Sequence, residues 1–286
     1  MSWVTVVWSM VASACLTLAA IYAVVWYKNR TAWAHLLFAA TAAATAVFTF
    51  CEFRLLRAGT PGELLTALKW GHLALLFWLV SIVWFVRLHL GTGRLWLAWT
   101  VSVVRVCYLV PMFLVGPSFL YPEVTSLRQV PLLGDYVTVF TVITGPWMLA
   151  GQVINFLIIF FVADASVTAW QRGERRKALI VGGSVEFFLI LGMLESALIY
   201  WAQVPIPILL SPFYLGMVAV MGYELSRDVL RASQLVHELQ VSEAGLRESE
   251  ARMSLAVDTA GFGIWIRDLT RDEVWASETW RPRRPR

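Results

Sequence analysis

Charge is scarce in this chain. Only 15% of its 286 residues are Asp, Glu, Lys or Arg, against about 25% in ordinary soluble domains. Cysteine is scarcer still. Cys15, Cys51 and Cys107 all lie inside apolar runs, an odd set that argues against a disulfide framework and a thiolate metal site. The four histidines show no ligand spacing, so neither metal nor cofactor is expected. There is no phosphate-binding glycine loop and no catalytic constellation, so the chain is not read as an enzyme. The net charge of +4 is small, and the basic residues fall in short clusters between apolar runs. That pattern excludes nucleic acid as an expected partner. What remains is apolar: 59% of the residues, with a mean hydropathy of +0.67. The expected class is an all-α membrane protein whose main partner is lipid.

A bilayer core about 30 Å thick needs roughly 20 apolar residues per helix. Seven runs meet that need, at 3–27, 33–53, 69–90, 95–116, 136–164, 178–202 and 204–225. They predict a seven-transmembrane-helix bundle over residues 1–225. The first run has no basic residue before it and is too long for a signal peptide. Thr60-Pro61-Gly62-Glu63 reads as a helix start, with a capping Thr, Pro at the first helical position and Glu three residues after the cap. Residues 117–135 read as a short outer loop. Lys28, Arg30, Arg87, Arg94, Arg172, Arg175, Arg176, Lys177, Arg227 and Arg231 collect on one side. Arg54, Arg57, Lys69 and Arg128 lie on the other, which places the N-terminus outside and the C-terminus inside.

Ionisable residues inside spans are costly and mark functional candidates. At 1.5 Å per residue, Arg105, Glu186 and Asn155 lie at about 12–15 Å from the inner border. An Arg105–Glu186 pair supported by Asn155 or Gln152 is expected, either as interhelical glue or as a two-state polar switch. Glu52, His72 and Glu195 group in the outer third. Either Glu52 and His72 are simply wetted helix ends, or the three converge as an outer pocket sensing a proton or small cation. Gly145-Pro146 is read as a kink within the fifth span, serving as a hinge or merely shaping the packing.

After Tyr223 the composition turns polar. Residues 226–257 carry an apolar repeat at 3- and 4-residue steps: Val229, Ala232, Val236, Leu239, Leu246, Met253 and Val257. This predicts a cytoplasmic coiled-coil helix and a homodimer, with a lone solvated helix as the alternative. Residues 258–280 then read as a glycine turn and two short alternating strands, Ile264–Asp268 and Glu273–Ala276.

The run from Ser249 to Asp268 and Glu273-Val-Trp-Ala-Ser-Glu-Thr-Trp280 resembles the opening of a PAS domain. The apolar region with Met221-Gly-Tyr-Glu-Leu-Ser-Arg-Asp-Val-Leu230 is similar to the seven-helix input region of bacterial PAS-containing sensor histidine kinases. The resemblance implies a bacterial inner membrane location and a sensory input module of a two-component system. A proton or small-molecule signal would pass through the coiled coil to the PAS segment. It also makes 258–280 an incomplete α+β PAS segment, with the Arg/Pro-rich 281–286 read as a truncation or a frame change. A small-solute transporter and a truncated sensor without output are the other readings. No span-seven lysine exists to hold retinal.

Overall fold

Six apolar runs fold as helices long enough to cross a bilayer in the computed structural model, which describes residues 2–260, 265–268 and 272–276. Helices α1 (Trp3–Lys28), α2 (Trp33–Leu56), α3 (Pro61–Leu90) and α4 (Leu95–Leu114) follow one another through short connections. A hairpin of β1 (Glu123–Leu132) and β2 (Asp135–Ile143) precedes α5 (Trp147–Gln171). A short α6 (Arg175–Lys177), a π turn (Ala178–Gly182) and α7 (Gly183–Tyr200) form one continuous rod. Helix α8 is Leu210–Ala260. The molecule is therefore mostly helical. It divides into a membrane unit, residues 1–226, and a second unit, residues 227–286.

The membrane unit carries charge inside and grease outside. Glu52, Arg105, Glu195 and Glu224 are buried, while Phe50, Phe77, Phe156, Phe160 and Phe187 face outward. In water this would be costly on both counts. In lipid, apolar burial no longer drives helices together, and packing and polar ties take over. Small residues serve that role on α2: Ala39, Ala42 and Ala46 let its neighbours approach, and Thr41, Thr45 and Thr49 return their hydroxyls to the carbonyls four residues back. Helix α3 is central and touches α2, α4 and α5. Its start has the expected cap: Thr60 Oγ1 accepts from Glu63 N at 3.3 Å, and Glu63 Oε2 accepts from Gly59 N at 2.9 Å. Such a cap contributes about 1 kcal/mol.

The fifth span differs from the sequence reading. Residues 136–164 are not one helix. Tyr136–Ile143 is rich in β-branched residues and pairs antiparallel with Glu123–Leu132, from Leu132↔Asp135 to Glu123↔Ile143. The residues between the strands, Leu133 and Gly134, both have positive φ, as a two-residue turn matching strand twist requires. The segment read as an outer loop is thus half of a hairpin. Leu120, Tyr121, Phe140 and Val142 join the main core, and Val137 packs with Val4, Trp8 and Leu56. Polar ties hold the hairpin to the bundle. Arg57 meets Asp135 at 2.6 Å, Thr138 donates to Ala58 O at 2.8 Å, and Gln203 donates to Val142 O at 3.0 Å.

Gly145-Pro146 is accordingly not a kink inside a helix. Pro146 is the residue before α5, and Gly145 N donates to Leu120 O at 3.0 Å. A Cβ on Gly145 would lie 2.8 Å from the Phe119 carbonyl oxygen, so close backbone approach accounts for this glycine.

In the second unit, β3 (Trp265–Asp268) pairs antiparallel with β4 (Glu273–Ala276). Val229, Val236, Leu239, Leu246 and Met253 are exposed along α8. The side chains of Ala232 and Val257, the Gly261–Gly263 turn and the 281–286 tail lie outside the described residues.

Candidate functional site

Helix α8 begins without a capping side chain of its own. Its first donors are Leu209 N, Leu210 N and Ser211 N, and Pro212 has no N–H to satisfy. Two carboxylates from other helices take all three. Glu52 Oε1 on α2 accepts from Leu210 N at 2.7 Å, and its Oε2 accepts from Ser211 N at 3.1 Å. Glu195 Oε1 on α7 accepts from Leu209 N at 2.6 Å. Trp8 Nε1 on α1 donates to Glu52 Oε2 at 3.1 Å. A carboxylate at a helix N-terminus also meets the positive end of the helix dipole. The preceding Val204-Pro205-Ile206-Pro207 stretch is irregular, since proline restricts the residue before it as well as itself. The apolar run 204–225 therefore becomes helical only at Leu210.

Both carboxylates line one cavity of about 130 Å³. Arg105 from α4, His72 from α3, and Gln152 and Asn155 from α5 line it too. The two polar groups expected at different depths thus share one chamber. Glu186 does not join them. It lies on a groove with Ser166, Trp170 and Gly182 between α5 and α7. Residue-by-residue depth gives height along a helix but not direction around it. The π turn just before α7 adds a further offset to that direction. Among the described residues Arg105 forms no ion pair with a carboxylate. Its guanidinium lies over the Tyr108 ring at 5.3 Å.

A polar chain leads from the cavity to the hairpin end. His72 Nδ1 lies 2.8 Å from Leu68 O. A carbonyl only accepts, so Nδ1 carries the proton, and in neutral imidazole Nε2 accepts. Tyr121 Oη lies 3.3 Å from that Nε2 and 3.3 Å from Tyr200 Oη. Tyr121 sits outside the spans, and burial, with Tyr200 beside it, pushes its hydroxyl well above the ordinary tyrosine range. It stays a neutral hydroxyl at physiological pH. Gln152 Nε2 donates to Ser196 Oγ at 3.0 Å across α5 and α7.

The basic end of the membrane unit holds α8 a second time. Arg176 Nη2 pairs with buried Glu224 Oε2 at 3.2 Å, and Tyr22 Oη donates to Gly222 O at 2.6 Å. Sequence reading missed Trp78, Tyr108, Tyr200 and Tyr214 as cavity residues, because an aromatic inside an apolar run gives no directional signal. The Ser211-Pro212 helix start was a usable signal that something must cap α8 from outside. Among the described residues, no group of three His, Cys, Asp or Glu side chains is placed to hold a metal ion. No protein-family model matches the chain, and the comparison with curated proteins yields no match.

Proposed function

We propose that residues 1–225 form a sensory input domain in the membrane and that the cavity is its input site. One observation carries this reading: the first three backbone donors of α8 are held by Glu52 and Glu195, and both carboxylates line the cavity. A bound signal that changes either carboxylate changes the restraint on the start of α8. Such a device needs two states with different contacts. Free and capped helix starts provide them.

In this reading the apolar beginning of α8 is the seventh span, with the N-terminus outside and the basic loops in the cytoplasm of a bacterial cell. Residues 226–257 pair with those of a second copy through Val229, Val236, Leu239, Leu246 and Met253. They transmit a rotation or tilt to the PAS-like segment. The resemblance to input regions of sensor histidine kinases supports this direction of flow. The chain is an input module, and phosphotransfer belongs to what such modules regulate.

The test is a fusion of residues 1–258 to an intact PAS–kinase module, assayed for autophosphorylation in membranes across pH, redox state and small solutes. A response that vanishes when residues 1–225 are replaced by an unrelated membrane anchor supports a sensor. A flat response from inserted, dimeric protein overturns it. The irregular stretch before α8 favours a transporter as the second reading, since Ile208 there lines the cavity. Solute uptake by vesicles bearing this chain is its test.

A further inference from the structure

Two ionisable side chains of opposite kind, Arg105 and Glu195, line the cavity without pairing with each other. Arg105 is 5% exposed and forms no ion pair with a carboxylate among the described residues. Glu195 is 9% exposed, and only its Oε1 is engaged, by Leu209 N. Its Oε2 is buried with no hydrogen-bond partner. Both residues line the same chamber. An unpaired buried ionisable group is expensive, and a partner of opposite sign offsets that cost when it sits beside the group with good hydrogen-bond geometry.

The aromatic lining adds a preference. Trp78 and Tyr214 stack with ring centroids 4.2 Å apart, and both line the cavity. Aromatic faces attract cations, most strongly when water is excluded. A guanidinium is a planar fork that matches a carboxylate with two parallel hydrogen bonds. Gln152 and Asn155 add neutral polar groups to the same chamber. The volume of about 130 Å³ is close to that of an engineered cavity, about 150 Å³, that takes one benzene. The ligand is therefore small.

We infer that the cavity binds a small zwitterion, an α-amino acid or a betaine. Its carboxylate lies on Arg105, and its cationic nitrogen lies against Glu195 and the Trp78–Tyr214 pair. The inference rests on the reading of this cavity as the input site, and it names the class of signal. A simple anion leaves the Glu195 oxygen unanswered, and a simple cation leaves Arg105 unanswered. The zwitterion also reaches the carboxylate that caps α8, which links occupancy to the helix start.

The experiment is equilibrium binding to the full chain in lipid nanodiscs, followed by tryptophan fluorescence and calorimetry. The probes are L-alanine, L-proline, glycine betaine, acetate and tetramethylammonium. At least one of the three zwitterions is expected to saturate the site, with acetate and tetramethylammonium at least tenfold weaker. Glu195→Gln keeps an oxygen for Leu209 N and is expected to lower affinity at least tenfold while the protein stays folded. Arg105→Lys keeps the charge but loses the fork, and is expected to weaken binding severalfold. Glu186→Gln, outside the cavity, is expected to leave binding unchanged. Binding of acetate or tetramethylammonium as tight as that of the zwitterions overturns the inference, as does binding by none of the zwitterions. Zwitterion binding without any change in the output of the kinase fusion overturns the sensor reading alone. A fusion that responds to another stimulus, with no zwitterion bound, overturns this inference alone.

Discussion

Glu52 and Glu195 come from different helices and divide the N-terminus of α8 between them. Glu52 takes Leu210 N and Ser211 N, and Glu195 takes Leu209 N. Glu52 lies 158 residues before Leu210, and Glu195 lies on the preceding helix, 14 residues before Leu209. The start of α8 is thus set by tertiary structure, and each carboxylate touches the cavity as well. The two acids differ in how fully they are used. Both oxygens of Glu52 are engaged, while Glu195 keeps one oxygen unanswered.

That difference gives a stability order. Glu52→Ala strands Leu210 N, Ser211 N and Trp8 Nε1. A buried donor left unsatisfied costs about 1–3 kcal/mol. Thermal unfolding in detergent is expected to show a larger loss for Glu52→Ala than for Glu195→Ala. Glu52→Gln retains one good acceptor and falls between Glu52→Ala and the parent. Equal losses for the two alanine variants would count against the capping geometry.

The Gly145-Pro146 step separates two explanations of one dipeptide. Gly145→Ala places a methyl 2.8 Å from the Phe119 carbonyl and is expected to destabilise the hairpin end. Pro146→Ala alters a residue that precedes α5, so its effect is expected to stay within about 1 kcal/mol. A hinge inside a helix demands the reverse order. Unfolding midpoints and hydrogen exchange across 117–150 decide between them.

Asp135 makes the hairpin tether pH-dependent. Its carboxylate accepts from the Ser2 hydroxyl and from Tyr136 N, and it pairs with Arg57. These contacts, led by Ser2, hold the carboxyl below its usual range. A lowered folded pKa stabilises above the unfolded value of about 3.9, and the contribution is lost as pH falls through the folded value. Exchange protection of β1 and β2 is expected to be flat from pH 7 to 5 and to weaken below pH 4. Asp135→Asn is expected to weaken it at neutral pH and to flatten the acid response. An unchanged acid response in that variant would remove Asp135 from the account.

The second hold on α8 is the Arg176–Glu224 pair. Glu224 is 1% exposed, so Arg176→Gln leaves a buried carboxylate without its partner. Breaking a fully buried pair costs about 3–5 kcal/mol. Arg176 remains partly exposed, so a loss of about 1–2 kcal/mol is expected here. Glu224→Gln in the Arg176→Gln background is expected to recover part of it. Additive losses in that double-mutant cycle would show that the two residues do not act together.

Much of the fold was legible from apolar run length, and the Thr60 cap from three letters. The hairpin was not, because Tyr136–Ile143 and the start of α5 are both apolar and a window on hydropathy merges them. Its β-branched composition and the Leu133-Gly134 turn were the available signals. The site was half legible. Ionisable residues in apolar runs named Glu52, His72, Arg105 and Glu195, but the expected pairing of Arg105 with Glu186 followed height alone. Direction around a helix depends on packing, and the π turn at Ala178–Gly182 is not written in hydropathy. The aromatic walls were hidden for the same reason.

The central claim is that the cavity governs the restraint on α8. The most direct measurement is basal autophosphorylation, in membranes, of the fusion of residues 1–258 to a PAS–kinase module. The variants are Glu52→Gln and Glu195→Gln, with the outward-facing Phe156→Leu as control. The account expects both cavity variants to shift basal output severalfold at unchanged membrane levels, while Phe156→Leu leaves it unchanged. Identical output from all three would contradict it.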